Sequence, residues 1–272
     1  MTTQRSDAPS ARLVLLALVA VLLAALAGPA RADPVATVET DHITAEILLR
    51  QAAVAPGDTA EIAIRQTIAP GWHTYWTNPG DSGEPKRLSW GLPAGAEAGP
   101  IRWPAPERVP YEPLMNYGYE GSVTTLTSVR VPADWTPGRP LPVELGIDWL
   151  VCADICIPEG GETAFEIPTA AETRADSTTA FVFVMAERAI PAAADWPASA
   201  RLTDAALTLE VAGVPADTRE AYFFPDTPGL IDHAAPQAVA REGDRLVLSM
   251  EPGRTAADPL EGLLELTGPD GE

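Results

Sequence analysis

Every second position between Val143 and Val151 is apolar: Val143, Leu145, Ile147, Trp149 and Val151 share one face, with Glu144, Gly146 and Asp148 opposite. A period of two is the signature of a half-buried strand. Ile43, Ala45, Ile47 and Leu49 repeat the pattern, Ile62 and Ile64 begin another such stretch, and Thr163, Phe165 and Ile167 a further one. The chain carries 28 prolines and 21 glycines that cut it into short apolar runs, which favours strands joined by turns over long helices. From about residue 169 to 197 the composition shifts to alanine and charge, and Thr178 to Ile190 is the best helix, with Ser177 as its N-cap. Strand-like runs resume at Leu202 to Val211, Ala221 to Phe224, Arg245 to Met250 and Leu263 to Thr267.

The pattern therefore predicts an all-β protein: a first β domain over 33–170, a linker with a short helix over 171–197, and a second, smaller β domain over 198–272. Six of the seven tryptophans precede residue 150, so the first domain has the larger aromatic supply for a core. The sequence stops at "LTGPDGE", a turn signal with no closing element, and Glu272 reads as a truncation point.

The first 32 residues read as a secretory signal peptide. Arg5 and Arg12 precede the apolar run Leu13 to Ala27, and Ala30-Arg31-Ala32 fits the small-x-small cleavage pattern. The run is shorter than the roughly 20 residues of a spanning helix, so the mature chain is expected to begin near Asp33. The formal net charge is −20, and it is more negative without a leader that holds three arginines and one aspartate. Such an acidic chain argues against nucleic acid and anionic lipid as partners. The only lysine is Lys86.

Export changes how the two cysteines are read, because an oxidising compartment lets a disulfide persist. Cys152 and Cys156 lie in "WLVCADICIPE", where the longest alternating ladder ends and its antiparallel partner begins. Pro158 and the preceding alternation argue against a helix. A hairpin with Ala153-Asp154-Ile155 at its turn sets the cysteines opposite one another, roughly 4.5 to 5.5 Å apart between Cα atoms, within disulfide range. Such a bridge closes a loop of only about five residues and adds little by loop entropy, so it suits reversible chemistry as well as a staple. A metal clip needs more than two thiolates, and His42, His73 and His233 are scattered singly, although a soft ion such as Cu(I) accepts two. Redox pair, structural bridge and metal clip all remain open on these residues alone. Asp148, Asp154 and Glu159 lie nearby with no cation among them, which favours the neutral thiol and a pair that waits for a docked partner.

"GWHTYWTNPGDSGEP", "MNYGYEG" and "WLVCADICIPE", in that order after a leader, resemble the periplasmic N-terminal region of DsbD-type protein-disulfide reductases, and most of all the ScsB branch associated with suppression of copper sensitivity. The resemblance covers roughly Val35 to Pro168, with "YFFPDTPGLIDHAAPQ" extending it more loosely into the second domain. It implies an immunoglobulin-like β-sandwich whose cysteine pair relays reducing equivalents. Electrons would arrive from a transmembrane reductase domain through a thioredoxin-like domain and pass to periplasmic thioredoxin-fold partners such as disulfide isomerases. By position Cys156 would attack and Cys152 resolve, with no cofactor, since the two sulfurs hold the electrons. A cap loop would shield the pair, and Asn116-Tyr117-Gly118 matches it in part, which makes Tyr117 and Gly118 the cap candidates. Better-known members space their cysteines by five residues, whereas three intervene here. Trp72 and Tyr75 are candidates to pack beside the cysteines and exclude water, although "WHTYW" followed by "NPGDSG" also reads as an ordinary core strand and a Pro-Gly turn. The rival to an exchange protein is a β-sandwich binding module whose disulfide is inert, or one that takes up Cu(I) in copper tolerance.

Overall fold

The computed structural model describes residues 32–269; the expected leader and the stop at Glu272 lie outside the described residues. In chain order the strands are β1 (Ala36–Glu39), β2 (Ile43–Leu49), β3 (Gln51–Ala53), β4 (Thr59–Ile68), β5 (His73–Gly80), β6 (Arg87–Gly91) and β7 (Glu97–Ala98). They continue as β8 (Glu107–Tyr111), β9 (Leu114–Glu120), β10 (Ser122–Arg130), β11 (Leu141–Cys152), β12 (Cys156–Ile167) and β13 (Arg174–Ala175). After helix α1 (Ala180–Ala189) come β14 (Ala198–Leu202), β15 (Leu207–Ala212), β16 (Glu220–Pro225), β17 (Ala238–Glu242), β18 (Arg245–Met250) and β19 (Gly262–Thr267).

Two sheets form an immunoglobulin-like sandwich. One runs β1-β2-β4-β10-β7, and the other β12-β11-β5-β9-β8 with β6 also paired to β11. Alternation explains the packing. Ile43, Ala45, Ile47 and Leu49 of β2 face Leu141, Val143, Leu145, Ile147, Trp149 and Val151 of β11 across one core. The opposite face of the first sheet is also covered, because Leu48, Ala63 and Leu126 pack against Phe183 and Ala186 of α1. The helix begins later than the sequence suggests. Its N-cap is Thr179 rather than Ser177, and the Thr179 hydroxyl donates to the Leu49 carbonyl instead of capping its own helix.

The C-terminal strands form a four-stranded sheet, β14-β15-β18-β17, beside the β16-β19 ribbon. β16 is buried on both faces: Phe223 enters a core with Leu209, Leu230 and Leu248, while Tyr222 and Phe224 join the core of the sandwich. Asn78 reinforces this junction by donating to the Pro225 carbonyl at 2.6 Å while accepting from the Gly80 amide. "NPG" is therefore the end of a strand with an irregular register against β9, where the sequence reading allowed a turn.

Candidate functional site

The β11–β12 hairpin pairs twelve residues on each side, from Leu141 opposite Ile167 to Cys152 opposite Cys156. Ala153 donates its amide to the Ile155 carbonyl at 3.0 Å and closes the turn. The sulfurs are bonded at 2.04 Å, with the Cα atoms 4.1 Å apart, closer than the usual spacing of opposed residues. The two cysteines are not equivalent. Cys152 is 1 % exposed, whereas Cys156 is exposed beside Ile155, itself 64 % exposed at the tip.

β5 lies against the other edge of β11, and His73 pairs with Cys152. Residues two apart on a strand share a face, so Tyr75 joins His73 on the side that carries the cysteines. The Tyr75 hydroxyl lies 3.6 Å from Cys156 Sγ, and His73 Nε2 lies 3.2 Å from that hydroxyl. Burial pushes the Tyr75 phenol up to about 12, so it stays protonated at neutral pH. Burial also lowers the His73 pKa, against an opposing pull from Glu120, which keeps the ring neutral there. Tyr75 itself is covered by the Asp81–Pro85 segment, where a Cβ on Gly83 would stand 2.2 Å from the Tyr75 ring.

The structure places Tyr117 away from the cysteines. Tyr117 is fully buried, donates to or accepts from Tyr222 at 2.9 Å between hydroxyls, and meets the rings of Phe224 and His233 edge to face. Strand parity puts it there: Gly118 is the β9 residue opposite Tyr75, so Tyr117 points to the other face, into the sandwich core. Gly118 instead permits close approach of two strands, since a Cβ on it would lie 2.0 Å from the Thr74 carbonyl oxygen. The tyrosine that reaches the cysteine turn is Tyr111, at the end of β8, whose hydroxyl donates to the Asp154 carbonyl at 3.0 Å. Its register partner Leu114 has the parity of Gly118, so Tyr111 shares the Tyr75 face. Sequence reading missed it because the parity reverses at the Glu112-Pro113 connection, and only the β8–β9 pairing reveals that.

Trp72 does not line the Tyr75 side of the disulfide. Its ring lies against His42 in a tilted arrangement, 3.8 Å between centroids and 41° between planes, and it packs against the sandwich core. His42 Nδ1 contacts Glu159 at 2.5 Å, and the Thr40 hydroxyl donates to the other carboxylate oxygen. Burial pushes the Glu159 carboxyl up, but the hydrogen bonds from Thr40 and His42 together outweigh it and hold the group below the usual range. The three histidines thus serve separate contacts, His42 with Glu159, His73 with Tyr75 and His233 with Asp81. No group of three His, Cys, Asp or Glu side chains suited to a metal ion occurs among the described residues. No helix among them is long and apolar enough to cross a membrane.

Residues 44–168 match the family model described as thiol:disulfide interchange protein DsbD, N-terminal. The structure is similar to the crystal structure of the N-terminal periplasmic domain of ScsB from Proteus mirabilis, with a TM-score of 0.65 and 15 % identity over 86 % of this chain and 94 % of that one. A chimeric titin Z1Z2 functionalized with a KLER exogenous peptide from decorin also aligns, at 13 % identity over 80 % of this chain and 85 % of that one, but its TM-score of 0.21 is too low to bear on the fold. No curated protein sequence matches. The family match and the ScsB likeness agree with the resemblance read from the sequence motifs.

Proposed function

We propose that this chain, whose residues 44–168 form a DsbD N-terminal domain, is an exported thiol–disulfide exchange module working through Cys152 and Cys156. The observation that carries this reading is the asymmetry of the bridge: one sulfur exposed at a hairpin tip, the other buried behind it. In the reduced protein the Cys156 thiolate attacks one sulfur of a partner disulfide. The partner's S–S bond breaks, a mixed disulfide forms, and a partner thiolate leaves and takes a proton from solvent. The Cys152 thiolate then attacks Cys156 Sγ, restoring the Cys152–Cys156 bond and releasing the second partner thiolate. Two electrons pass to the partner, and the two cysteine protons go to solvent.

The partners that suit this chemistry are periplasmic thioredoxin-fold proteins on the accepting side and a thioredoxin-like domain fed by a transmembrane reductase on the donating side. Tyr75 and Tyr111 flank the sulfurs and restrict approach to the hairpin tip. Residues 33–170 act as the redox domain, 171–197 as the linker, and 198–272 as a second domain that buttresses the sandwich through Tyr222 and Phe224. The test is the reduction potential of the pair, measured by equilibrating the protein in thiol buffers and counting alkylated cysteines by mass. A value of about −180 to −270 mV, where exchange proteins sit, is expected. A bridge that stays closed below about −300 mV would instead mark a staple in a binding module.

A further inference from the structure

The contact between Tyr75 and Cys156 has only one chemical sense. A disulfide sulfur carries no hydrogen, so at 3.6 Å the Tyr75 hydroxyl must be the donor and Cys156 Sγ the acceptor. The phenol has one proton, and of its two close contacts, Cys156 Sγ and His73 Nε2, the sulfur is the one that can only accept it, while the nearby Ser82 hydroxyl is engaged with Asn116 Oδ1. The His73 contact at 3.2 Å can then be a hydrogen bond only if His73 carries its proton on Nε2 and donates to the phenol oxygen. The two bonds run in one direction, His73 to Tyr75 to sulfur, and each polarises the next.

We infer that Tyr75, oriented by His73, is the catalytic hydrogen-bond donor that stabilises the Cys156 thiolate and thereby selects Cys156 as the attacking sulfur. The inference rests on the exchange reading above and adds a residue role to it. The charges around the sulfur give the thiolate no other help. Asp154 lies in the turn, Glu120 faces His73, and Glu159 on the far side of the hairpin is held by Thr40 and His42. Asp81, in the segment over Tyr75, is held by His233 and the Met115 amide, and Tyr111 at the end of β8 spends its proton on the Asp154 carbonyl. An uncharged donor chain is a means of favouring a thiolate in an acidic surround without adding a cation, because a hydrogen bond to a charged acceptor is stronger than one to a neutral one. Burial suits the task, since it keeps the phenol protonated and able to donate over the physiological range.

The test uses the full chain with Cys152→Ser, so that Cys156 is the one thiol, and follows its alkylation rate by iodoacetamide from pH 6 to 11 with and without Tyr75→Phe. Loss of the donor is expected to raise the thiol pKa by about one, a tenfold smaller thiolate fraction at neutral pH. A more basic thiolate is intrinsically more reactive, with a Brønsted slope of about 0.4 to 0.5, so the net rate falls about threefold at low pH and rises about threefold above both pKa values. The two profiles must cross. Mere loosening of the packing would move both limbs in the same direction. Coincident profiles, or parallel ones, would overturn the inference. If Tyr75→Phe does not fold, as judged by thermal melting, the same profile on His73→Leu decides, with a smaller shift of the same sign expected and no shift refuting it. The exchange reading is tested separately by whether the Cys152→Ser chain traps a partner as a mixed disulfide, which does not depend on the position of the crossing.

Discussion

Lys86 is the lone lysine of the chain, and it is buried with no carboxylate partner among the described residues. Its ammonium donates to Gln66 Oε1 at 2.7 Å and Thr125 Oγ1 at 2.8 Å and lies 5.6 Å from the centre of the Trp103 ring. It closes the segment that covers Tyr75, whose other end is held by Asp81 through His233 and the Met115 amide. Burial depresses the Lys86 pKa from 10.5 to about 7. Because the folded-state value is the lower one, the unfolded chain binds more protons between about pH 7 and 10.5, and stability rises with pH across that window. The slope is roughly 1.4 kcal/mol per pH unit. The accumulated cost of the charge is thus about 5 kcal/mol below pH 7 and vanishes above 10.5. Lys86→Met removes this contribution while keeping the length of the side chain. It also leaves Gln66 and Thr125 acceptors unpaired at about 1–3 kcal/mol each, a constant term independent of pH. The decisive quantity is therefore the difference between the two proteins as a function of pH, from urea unfolding at pH 6, 7, 8, 9 and 10 with the disulfide intact. The variant is expected to lose its relative advantage steadily from pH 7 upward. A difference that stays flat over this range would refute the reasoning and place the Lys86 titration elsewhere. A ¹³C-labelled lysine gives a single resonance whose midpoint checks the same point directly.

Two further outcomes follow from the hairpin. Cys152→Ala should accumulate a mixed disulfide through Cys156 when mixed with oxidised thioredoxin-fold proteins, and Cys156→Ala should not, as read on non-reducing gels; the reverse pattern would exchange the two roles. Tyr111→Phe removes one exposed hydrogen bond to the turn, worth about 0.5–1 kcal/mol, and should speed reduction by dithiothreitol about two- to fivefold. An unchanged rate would show that Tyr111 rests on the turn without guarding it.

The hairpin was legible in the sequence because two local signals agree on it. Period-two alternation assigns the inner face of β11, and Pro158 makes a continuous helix untenable, so the cysteines fall opposite each other. The contact of Tyr111 with the cysteine turn was not legible, because it depends on parity across a connection: counting through Tyr111-Glu112-Pro113-Leu114 gives no face until β8 and β9 are paired. His73 and Tyr75 could be placed on one face of a strand, but which element that face meets is decided by the pairing of His73 with Cys152, seventy-nine positions away by subtraction of the paired numbers. Long-range partners also moved Asn78 from a turn into a strand and gave β16 two buried faces, since Pro225, Tyr222 and Phe224 come from beyond the helix. Local preference yields to such contacts wherever a polar side chain finds a backbone partner or an apolar one finds a second core.

The architecture bears on why a disulfide here can cycle without cost to the fold. The bridge is the last rung of a ladder whose other eleven pairs already fix the register, with the inner face of β11 anchored in the core from Leu141 to Val151. A one-residue slip on reduction would turn that whole apolar face outward, so the ladder, not the sulfurs, specifies the register. The loop closed by the bond is short, and its loss returns little chain entropy. Oxidised and reduced forms should therefore share the same hairpin and differ only at the turn, where Tyr75 and Tyr111 meet it. A partner would then dock on one surface in both states, and the direction of electron flow would be set by the two potentials rather than by a change of shape.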